Sequence, residues 1–304
     1  MSHTIAGQQQ LVELGPEQCG LEFWHSEVIG GQVLGQVNGH RPDAGVPEFL
    51  REPGPLRDSL IAEFAFQAIA EEKATRSLTS LIATAPDLAT MEFYASQLMD
   101  EARHGHMYRS HLVELGVEPA SLNEVITAYA GAAAEMVLSP VQSYGLDIMD
   151  KHRDFHRGVV ILTVLVEGVI APITELSEQK WRPLHPAAAQ LQRSANTDEM
   201  RHLSVGSTVI RRHLTDNPER RAELLEIVDA GRALWESLPM AAVQLALEGV
   251  FQQGLEQQAE LVGDYEIWAG KRLLDSTPEE RVELAQRWSR EIQDERLAYM
   301  LLTD

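Results

Sequence analysis

The sequence Asp100-Glu101-Ala102-Arg103-His104 returns later in the chain as Asp198-Glu199-Met200-Arg201-His202. Each copy places a Glu and a His three positions apart, which puts both side chains on one face of a helix. A chain with 11 His and 46 Asp plus Glu contains about one Glu-x-x-His by chance. The pair Glu22 and His25, in a Gly- and Pro-rich stretch, is such a case. Two copies that share the flanking Asp and Arg are hard to attribute to chance, so they indicate a metal site.

Two facing Glu-x-x-His helices, each joined by one further Glu, form the four-Glu, two-His cage that holds two metal ions in helical bundles. One further ligand is predicted to be Glu167, because it interrupts the apolar stretch 162–171 and a lone buried carboxylate is costly. A buried Arg partner or a protonated Glu167 would also explain this pattern.

The other further ligand is predicted to be Glu71. It shares a helical stripe with apolar residues, whereas its neighbour Glu72 shares a stripe with Arg76 and Thr79, which are typical of an exposed face. Glu63 is a more distant candidate. The predicted metal ligands are therefore Glu71, Glu101, His104, Glu167, Glu199 and His202.

In such a cage Glu101 or Glu199 would bridge the metals, and each metal would have one His and about two carboxylates. Open coordination positions would remain for dioxygen. Oxygen and nitrogen ligands without thiolate favour two iron ions, or one manganese and one iron. The sequence thus predicts a catalytic rather than a purely structural metal site.

The residues around the predicted ligands suggest how the ligands are oriented. Asp100 and Asp198 can each accept the second imidazole N–H of the opposite His. Arg103 and Arg201 can neutralise these Asp residues, although exposed ion pairs on the helix surface are the simpler alternative.

Tyr108 lies one helical turn beyond His104 and is the predicted catalytic residue, as a donor of an electron or a hydrogen atom. Packing in the core is the more common role of such a side chain, because Tyr is frequent in cores with its hydroxyl hydrogen-bonded. Four other histidines are expected at the surface or between helices: His106, His111, His152 and His156.

Helical periodicity with little strand-like alternation predicts an all-α fold. Residues 1–56, rich in Gly and Pro, are predicted to be an irregular N-terminal arm, and residues 57–304 a helical domain that binds two metals. Within that domain, hairpins over 57–116 and 157–214 carry the two halves of the site. A third pair, 245–249 with 294–296, lacks the His and is interpreted as packing structure.

Turn and capping signals set the expected helix boundaries. The first helix is predicted over about 57–84. The second begins at the Asp87 cap and runs to 115, where Gly116 stops it, and the third begins at a capping box over 121–124 and ends or kinks near Pro140 and Gly145. The fourth and fifth helices are predicted over about 157–180 and 187–214. A long helix over 218–273 is expected to break near Pro239 or Gly263. A capping box at Thr277 and Glu280 opens a last helix that reaches the C-terminus.

Composition limits the classes of partner and compartment. The formal net charge of −21 argues against nucleic acid binding and suits docking of a positively charged electron donor. A single cysteine, Cys19, and the absence of a secretory signal in this sequence favour the cytoplasm. No uncharged apolar run has the length of a membrane span, so membrane insertion is not expected.

At these residues the chain resembles the ferritin-like di-metal carboxylate superfamily, over roughly residues 60–215. The order of the six ligands matches the ribonucleotide reductase small subunit and, more closely, the related ligand-binding oxidases. The strings 70–72, 100–104, 166–168 and 198–202 carry the resemblance. It implies a ferritin-like four-helix bundle core with additional helices, and dioxygen activation at a di-iron or manganese–iron centre. It also implies a homodimer.

Three positions depart from these relatives. The ligand-binding oxidases form a Tyr–Val cross-link, and this chain has Leu162 and Ala74 at the corresponding positions. Arylamine N-oxygenases carry an extra His where this chain has Ala195. Reductase small subunits end in a flexible docking tail, whereas residues 299–304 are expected to be helical.

The favoured hypothesis is a non-haem di-iron oxygenase that hydroxylates or N-oxygenates a small organic substrate in a biosynthetic pathway. The resemblance extends to natural-product N-oxygenases of the valanimycin azoxy-forming type. Electrons would come from an external donor, such as a reductase or ferredoxin, because no flavin, haem or iron–sulfur motif is present. The alternatives are a radical-generating small subunit with Tyr108 as the radical site, a manganese–iron ligand-binding oxidase, and an iron-storing ferroxidase.

Overall fold

The computed structural model describes residues 13–303, and within them it is an all-α helical bundle in which 81% of the residues are helical. Nine helices of two or more turns are described in this range. Their bounds are Leu21–Phe23 continuing as Trp24–Val33 (α1), Pro55–Thr84 (α2), Leu88–Glu114 (α3), 122–152 (α4), Phe155–Trp181 (α5), Pro186–Asp216 (α6), Arg221–Ser237 (α7), Met240–Leu255 (α8) and Pro278–Tyr299 (α9).

The helix ends follow local chemistry as the sequence predicted. The Asp87 side chain accepts a hydrogen bond from the Thr90 backbone N–H at 2.8 Å and caps α3. Beyond its other end, Gly116 has a φ of +90°, a left-handed conformation that favours glycine. The capping box of Thr277 and Glu280 at the start of α9 is also confirmed.

Other boundary predictions were wrong. The Ser121 side chain makes no capping hydrogen bond, because a 3-10 turn over Pro119–Ser121 leads directly into α4. Helix α4 runs through Pro140 to His152. Pro140 has no backbone N–H, so the Met136 carbonyl loses its helical hydrogen-bond donor. Met136 is 50% exposed, so water can donate that hydrogen bond instead.

The C-terminal third departs most from the predicted helices. The expected break near Pro239 is present between α7 and α8, but residues 263–272 are not helical. Instead, Glu266–Trp268 (β1) and Lys271–Arg272 (β2) form a small antiparallel hairpin. Helix α9 ends at Tyr299, and residues 300–303 follow it without helix.

The predicted N-terminal arm contains helix where irregular structure was expected. Helix α1 occupies 21–33, and most of it has π-helical hydrogen bonding. The apolar positions Trp24 and Val28, one turn apart, face inward and are buried. Residues 34–54 are largely irregular, and residues 1–12 of the predicted arm lie outside the described range.

Helix α2 packs along α3, and α5 packs along α6, while α3 and α6 contact each other. Large apolar cores lie towards the two ends of this assembly. One surrounds Phe64, Tyr108 and Trp181, and the other surrounds Phe93 and Phe155. Along α3, the first Glu-x-x-His motif lies between these two cores.

Helix α5 is the one described helix that is long and apolar enough to cross a membrane. In its most apolar window, 78% of the residues are buried inside the protein. A core helix of a water-soluble protein has the same length and composition, so this observation carries little weight.

A buried ion-pair network joins α2, α5, α8 and α9 outside the predicted site. The Lys180 ammonium contacts Glu63 at 2.7 Å and also bonds Glu248, and the Arg281 guanidinium bonds Glu248 at 2.5 Å. Trp181 Nε1 donates to Glu63 at 3.0 Å. Glu248 belongs to the third sequence pair, and its partners here are the chain's own cations.

This network predicts a large effect of removing Lys180. We expect Lys180→Met to lower the free energy of unfolding by about 3–5 kcal/mol, because it leaves two buried carboxylates without their shared cation. Urea unfolding followed by circular dichroism measures the change, with Lys151→Met at an exposed position as the matched control. An unfolding midpoint equal to that of the control would contradict the assignment.

Candidate metal centre

The two Glu-x-x-His motifs face each other across the contact of α3 and α6. Glu101 lies between the two imidazoles, with Oε2 3.3 Å from His104 Nδ1 and Oε1 3.3 Å from His202 Nδ1. Glu199 lies between the same two nitrogens, at 3.9 and 3.8 Å. Both carboxylates therefore lie between the two imidazoles, the position from which the sequence analysis expects one of them to bridge two ions.

Helices α2 and α5 add one carboxylate to each half. Glu71 Oε1 is 4.0 Å from His104 Nδ1, and Glu167 Oε1 is 3.6 Å from His202 Nδ1. Glu72 points away to an exposed ion pair with Arg76. The structure thus brings all six predicted ligands together and excludes Glu72 from the site.

The donor atoms form two overlapping groups. Within each group, all donor atoms lie within 4.8 Å of one another. One group contains Glu71, Glu101 and His104, and the other contains Glu101, Glu167, Glu199 and His202. Glu101 belongs to both. We refer to the six residues together as the carboxylate cage.

Behind the cage, each imidazole contacts the Asp of the opposite motif. His104 Nε2 is 3.2 Å from Asp198 Oδ2, and His202 Nε2 is 3.3 Å from Asp100 Oδ2. A proton on Nε2 donates to the carboxylate and leaves the Nδ1 lone pair directed into the cage. This crossed arrangement is the one that the sequence predicted for Asp100 and Asp198.

Two arginines complete the crossed network. Arg201 bonds Asp100 and lies 3.0 Å from Asp198, while Arg103 bonds Asp198. The Arg201 side chain is 7% exposed and that of Arg103 is 14% exposed. The guanidinium groups are therefore buried partners of the Asp residues and not exposed surface ion pairs.

Three supporting residues were missed by the sequence analysis. Trp24 Nε1 donates to Asp100 Oδ1 at 2.9 Å, and Gln32 Nε2 donates to Asp198 Oδ1 at 3.1 Å, both from α1. Gln97 donates to Glu167 Oε1. The spacing of Trp24, Val28 and Gln32 at successive helical turns was a detectable signal, as was the position of Gln97 one turn before Glu101.

Burial and mutual repulsion raise the pKa of three cage carboxylates above the ordinary value, and these are Glu71, Glu167 and Glu199. For Glu101, burial also raises the pKa, but the two imidazoles outweigh it and lower the pKa overall. Burial lowers the pKa of His104, yet hydrogen bonds to Asp198 and Glu101 raise it to about 10. Without a cation, the cage therefore retains protons.

Unpartnered buried atoms show that the donor set fits a cation. His202 Nδ1 and Glu167 Oε2 are both buried and have no hydrogen-bond partner. An unsatisfied buried polar atom costs on the order of 1–3 kcal/mol. Within residues 13–303, neither Lys nor Arg forms an ion pair with the four cage carboxylates, whose combined charge two divalent cations would offset.

A cavity of about 100 Å³ opens directly beside the four carboxylates. Its wall is mostly apolar, and Lys73 and Gln142 supply polar groups. The three positions that depart from the resembled families, Ala74, Leu162 and Ala195, all line it. These side chains therefore help set the shape of the space next to the cage.

Tyr108 is fully buried and its hydroxyl donates to Gln192 Oε1 at 2.8 Å. Burial, with a further contribution from Glu71, raises its pKa well above the ordinary value, so the phenol stays protonated. The ring also packs against Phe64, with centroids 5.1 Å apart. Tyr108 is one turn from His104 but is not among the residues that line the cavity.

A comparison of the chain with models of known protein families finds no match, and a comparison with curated proteins finds none either.

The crossed network predicts a metal-binding defect from a change outside the six ligands. We expect Asp198→Asn to weaken binding of ferrous iron about 10–100-fold, because an amide orients and polarises the His104 imidazole less well than a carboxylate. Equilibrium titration under anaerobic conditions measures the affinity. Asp229→Asn, on an exposed face of α7, is the control. Equal affinities for both variants would show that Asp198 does not support His104.

Proposed function

We propose that the protein is a dioxygen-activating, non-haem di-iron oxygenase or oxidase that acts on a small organic substrate. The observation that carries this proposal is a buried four-Glu, two-His cage that opens into an apolar cavity. Open access to the carboxylate side distinguishes a catalytic centre from a closed structural one. N-oxygenation or hydroxylation in a biosynthetic pathway is the proposed reaction.

The residues that would hold the two ions are divided between the halves of the cage. Glu71 and His104 would bind one ion, Glu167 and His202 the other, and Glu101 with Glu199 would contact both. Two iron ions, or one manganese and one iron, would supply the electrons and Lewis acidity that activate dioxygen for reaction with the substrate.

The protein's own groups perform the positioning. Asp100 and Asp198 hold the imidazole rings and keep Nδ1 of each directed inward. The apolar cavity wall excludes water and places an apolar substrate body against the carboxylates. Lys73 Nζ, which contacts Gln142 Oε1 at 3.0 Å, offers a polar contact at the cavity wall for a substrate with a polar end.

The fold and partners belong to the same proposal. The bundle of α2, α3, α5 and α6 would be a ferritin-like core with additional helices, present in a cytoplasmic homodimer. The reaction requires electrons from outside, so a reductase or ferredoxin is the proposed donor. The acidic surface of a chain with net charge −21 would favour a donor with a basic docking face.

A second candidate is a radical-generating subunit that serves another enzyme. The observation that favours it is the burial of Tyr108 one turn from His104, with its hydroxyl hydrogen-bonded to Gln192. A protected phenol near the cage could lose an electron and a proton together. The oxygenase remains the preferred function because the cavity offers space for a small substrate.

Alanine variants of the neighbouring residues Glu71 and Glu72 test how many metal ions the cage binds. We expect wild-type protein to bind two ferrous ions per chain without oxygen, and Glu71→Ala to bind fewer because it removes a cage ligand. Glu72→Ala should bind two, since Glu72 is exposed and paired with Arg76. Metal analysis after gel filtration gives the count.

Mixing the loaded protein with oxygenated buffer then tests the chemistry. We expect oxygen consumption and a time-dependent visible absorption change in wild type and Glu72→Ala. In Glu71→Ala, both the oxygen consumption and the absorption change should be smaller than in wild type. A positive result justifies a screen of amines and hydrazines as substrates. Full metal loading without any reaction with oxygen would overturn the oxygenase proposal.

Tyr108→Phe tests the catalytic role of the phenol. This variant should load iron normally, because it loses a single hydrogen bond worth about 1 kcal/mol. If Tyr108 donates an electron, wild-type protein mixed with oxygen gives an organic radical signal in electron paramagnetic resonance that Tyr108→Phe lacks. Tyr94→Phe, a buried tyrosine on the same helix, is the control. The same spectrum in all three proteins would identify Tyr108 as a packing residue.

A further inference from the structure

A second group of His and Glu side chains, of the kinds that ligate metals, lies outside the carboxylate cage, where the N-terminal arm crosses α3. His111 and Glu114 are three positions apart on one face of α3, near its C-terminal end. His40 comes from the arm. His104 and His111 are seven residues apart, so this group is about 10 Å along the helix from the first motif.

A tight turn positions His40 against α3. Val37 and His40 form an antiparallel bridge around Asn38 and Gly39, both of which have positive φ. A side chain at Gly39 would place its Cβ 2.4 Å from Met107 Sδ, so Met107 would have to move, and the φ of +84° at this position also favours glycine. The Asn38 amide also donates to Glu114 Oε1 at 2.9 Å.

Three donor atoms converge on one point. Glu114 Oε2 is 2.9 Å from His40 Nε2 and 3.1 Å from His111 Nδ1, and the three atoms lie within 4.8 Å of one another. His40 and His111 are 5% and 0% exposed. The Glu114 side chain is 26% exposed, which gives an ion a route from solvent.

The contacts behind the two imidazoles are compatible with lone pairs directed at this point. His40 Nδ1 is 2.9 Å from the Arg41 carbonyl oxygen, which can only accept, so Nδ1 carries a proton. In the neutral ring, Nε2 then has a lone pair that faces the same point as Glu114 Oε2. His111 Nε2 is 2.9 Å from His185 Nε2, and His111 Nδ1 is buried without a hydrogen-bond partner. Either ring can carry the proton shared between these two Nε2 atoms, and when His111 carries it, His111 Nδ1 has a lone pair for a ligated ion.

We infer that His40 Nε2, His111 Nδ1 and Glu114 Oε2 bind a divalent cation of the zinc type. Two imidazoles and one carboxylate are a ligand set that zinc accepts, with a further position open to water. A cation at this point would replace the contacts that Glu114 Oε2 makes with the two imidazoles. It also joins the arm that carries α1 to the helix that carries Glu101 and His104. This inference does not depend on the chemistry of the carboxylate cage.

Zinc counting with a matched pair of histidines tests the site. Metal-free protein is saturated with Zn²⁺, passed through gel filtration and analysed for zinc per chain. We expect His40→Ala to hold one zinc ion fewer than wild type. His106→Ala, an exposed histidine on α3, should equal wild type. Because each variant's zinc count is compared with that of wild type, the result does not depend on how many zinc ions the carboxylate cage binds.

Crystals of the zinc-loaded wild-type protein give a second readout that requires no variant. Anomalous scattering at the zinc edge should show a peak bordered by His40, His111 and Glu114. Equal zinc counts in His40→Ala and wild type, or no anomalous peak at this position, would overturn the inference. The group would then be a hydrogen-bonded contact that holds the arm on α3.

Discussion

Four buried carboxylates share one small volume between α2, α3, α5 and α6, and their mutual repulsion is the constraint around which the structure is organised. Burying a charge is costly unless a partner compensates it. Two of the surrounding acidic groups, Asp100 and Asp198, are compensated by Arg103 and Arg201. The four cage carboxylates have no such cation in the described chain, so their charge is left for the two imidazoles and for the proposed metal to balance.

A second way to compensate buried carboxylates is present in the same protein, in the network of Glu63, Lys180, Glu248 and Arg281. There the chain supplies its own ammonium and guanidinium groups, and the charges of the side chains cancel. Glu248 was interpreted from sequence as packing structure because its pair lacks a His, and its partners agree with that interpretation. The contrast explains why one buried acidic cluster would take metal and the other would not.

The sequence predicted the all-α class, most helix ends and the convergence of the six cage residues, because these depend on periodicity, caps and i,i+3 spacing. It did not predict α1 or the hairpin over 266–272. Helix α1 depends on tertiary contacts, such as the hydrogen bond from the Trp24 indole N–H to Asp100. The hairpin depends on turn signals within a stretch whose composition otherwise favours helix. Pro140 was expected to end or kink α4, but local solvation at the adjacent turn lets the helix continue.

In the proposed centre, Glu101 and Glu199 would each contact both metal ions. Mössbauer spectroscopy of protein loaded with the active iron isotope and then oxidised tests this directly. Iron ions that share carboxylate bridges are magnetically coupled, so we expect the iron to appear as coupled pairs without magnetic splitting at low temperature in a weak field. A spectrum dominated by isolated, magnetically split ferric ions would contradict the two-metal cage.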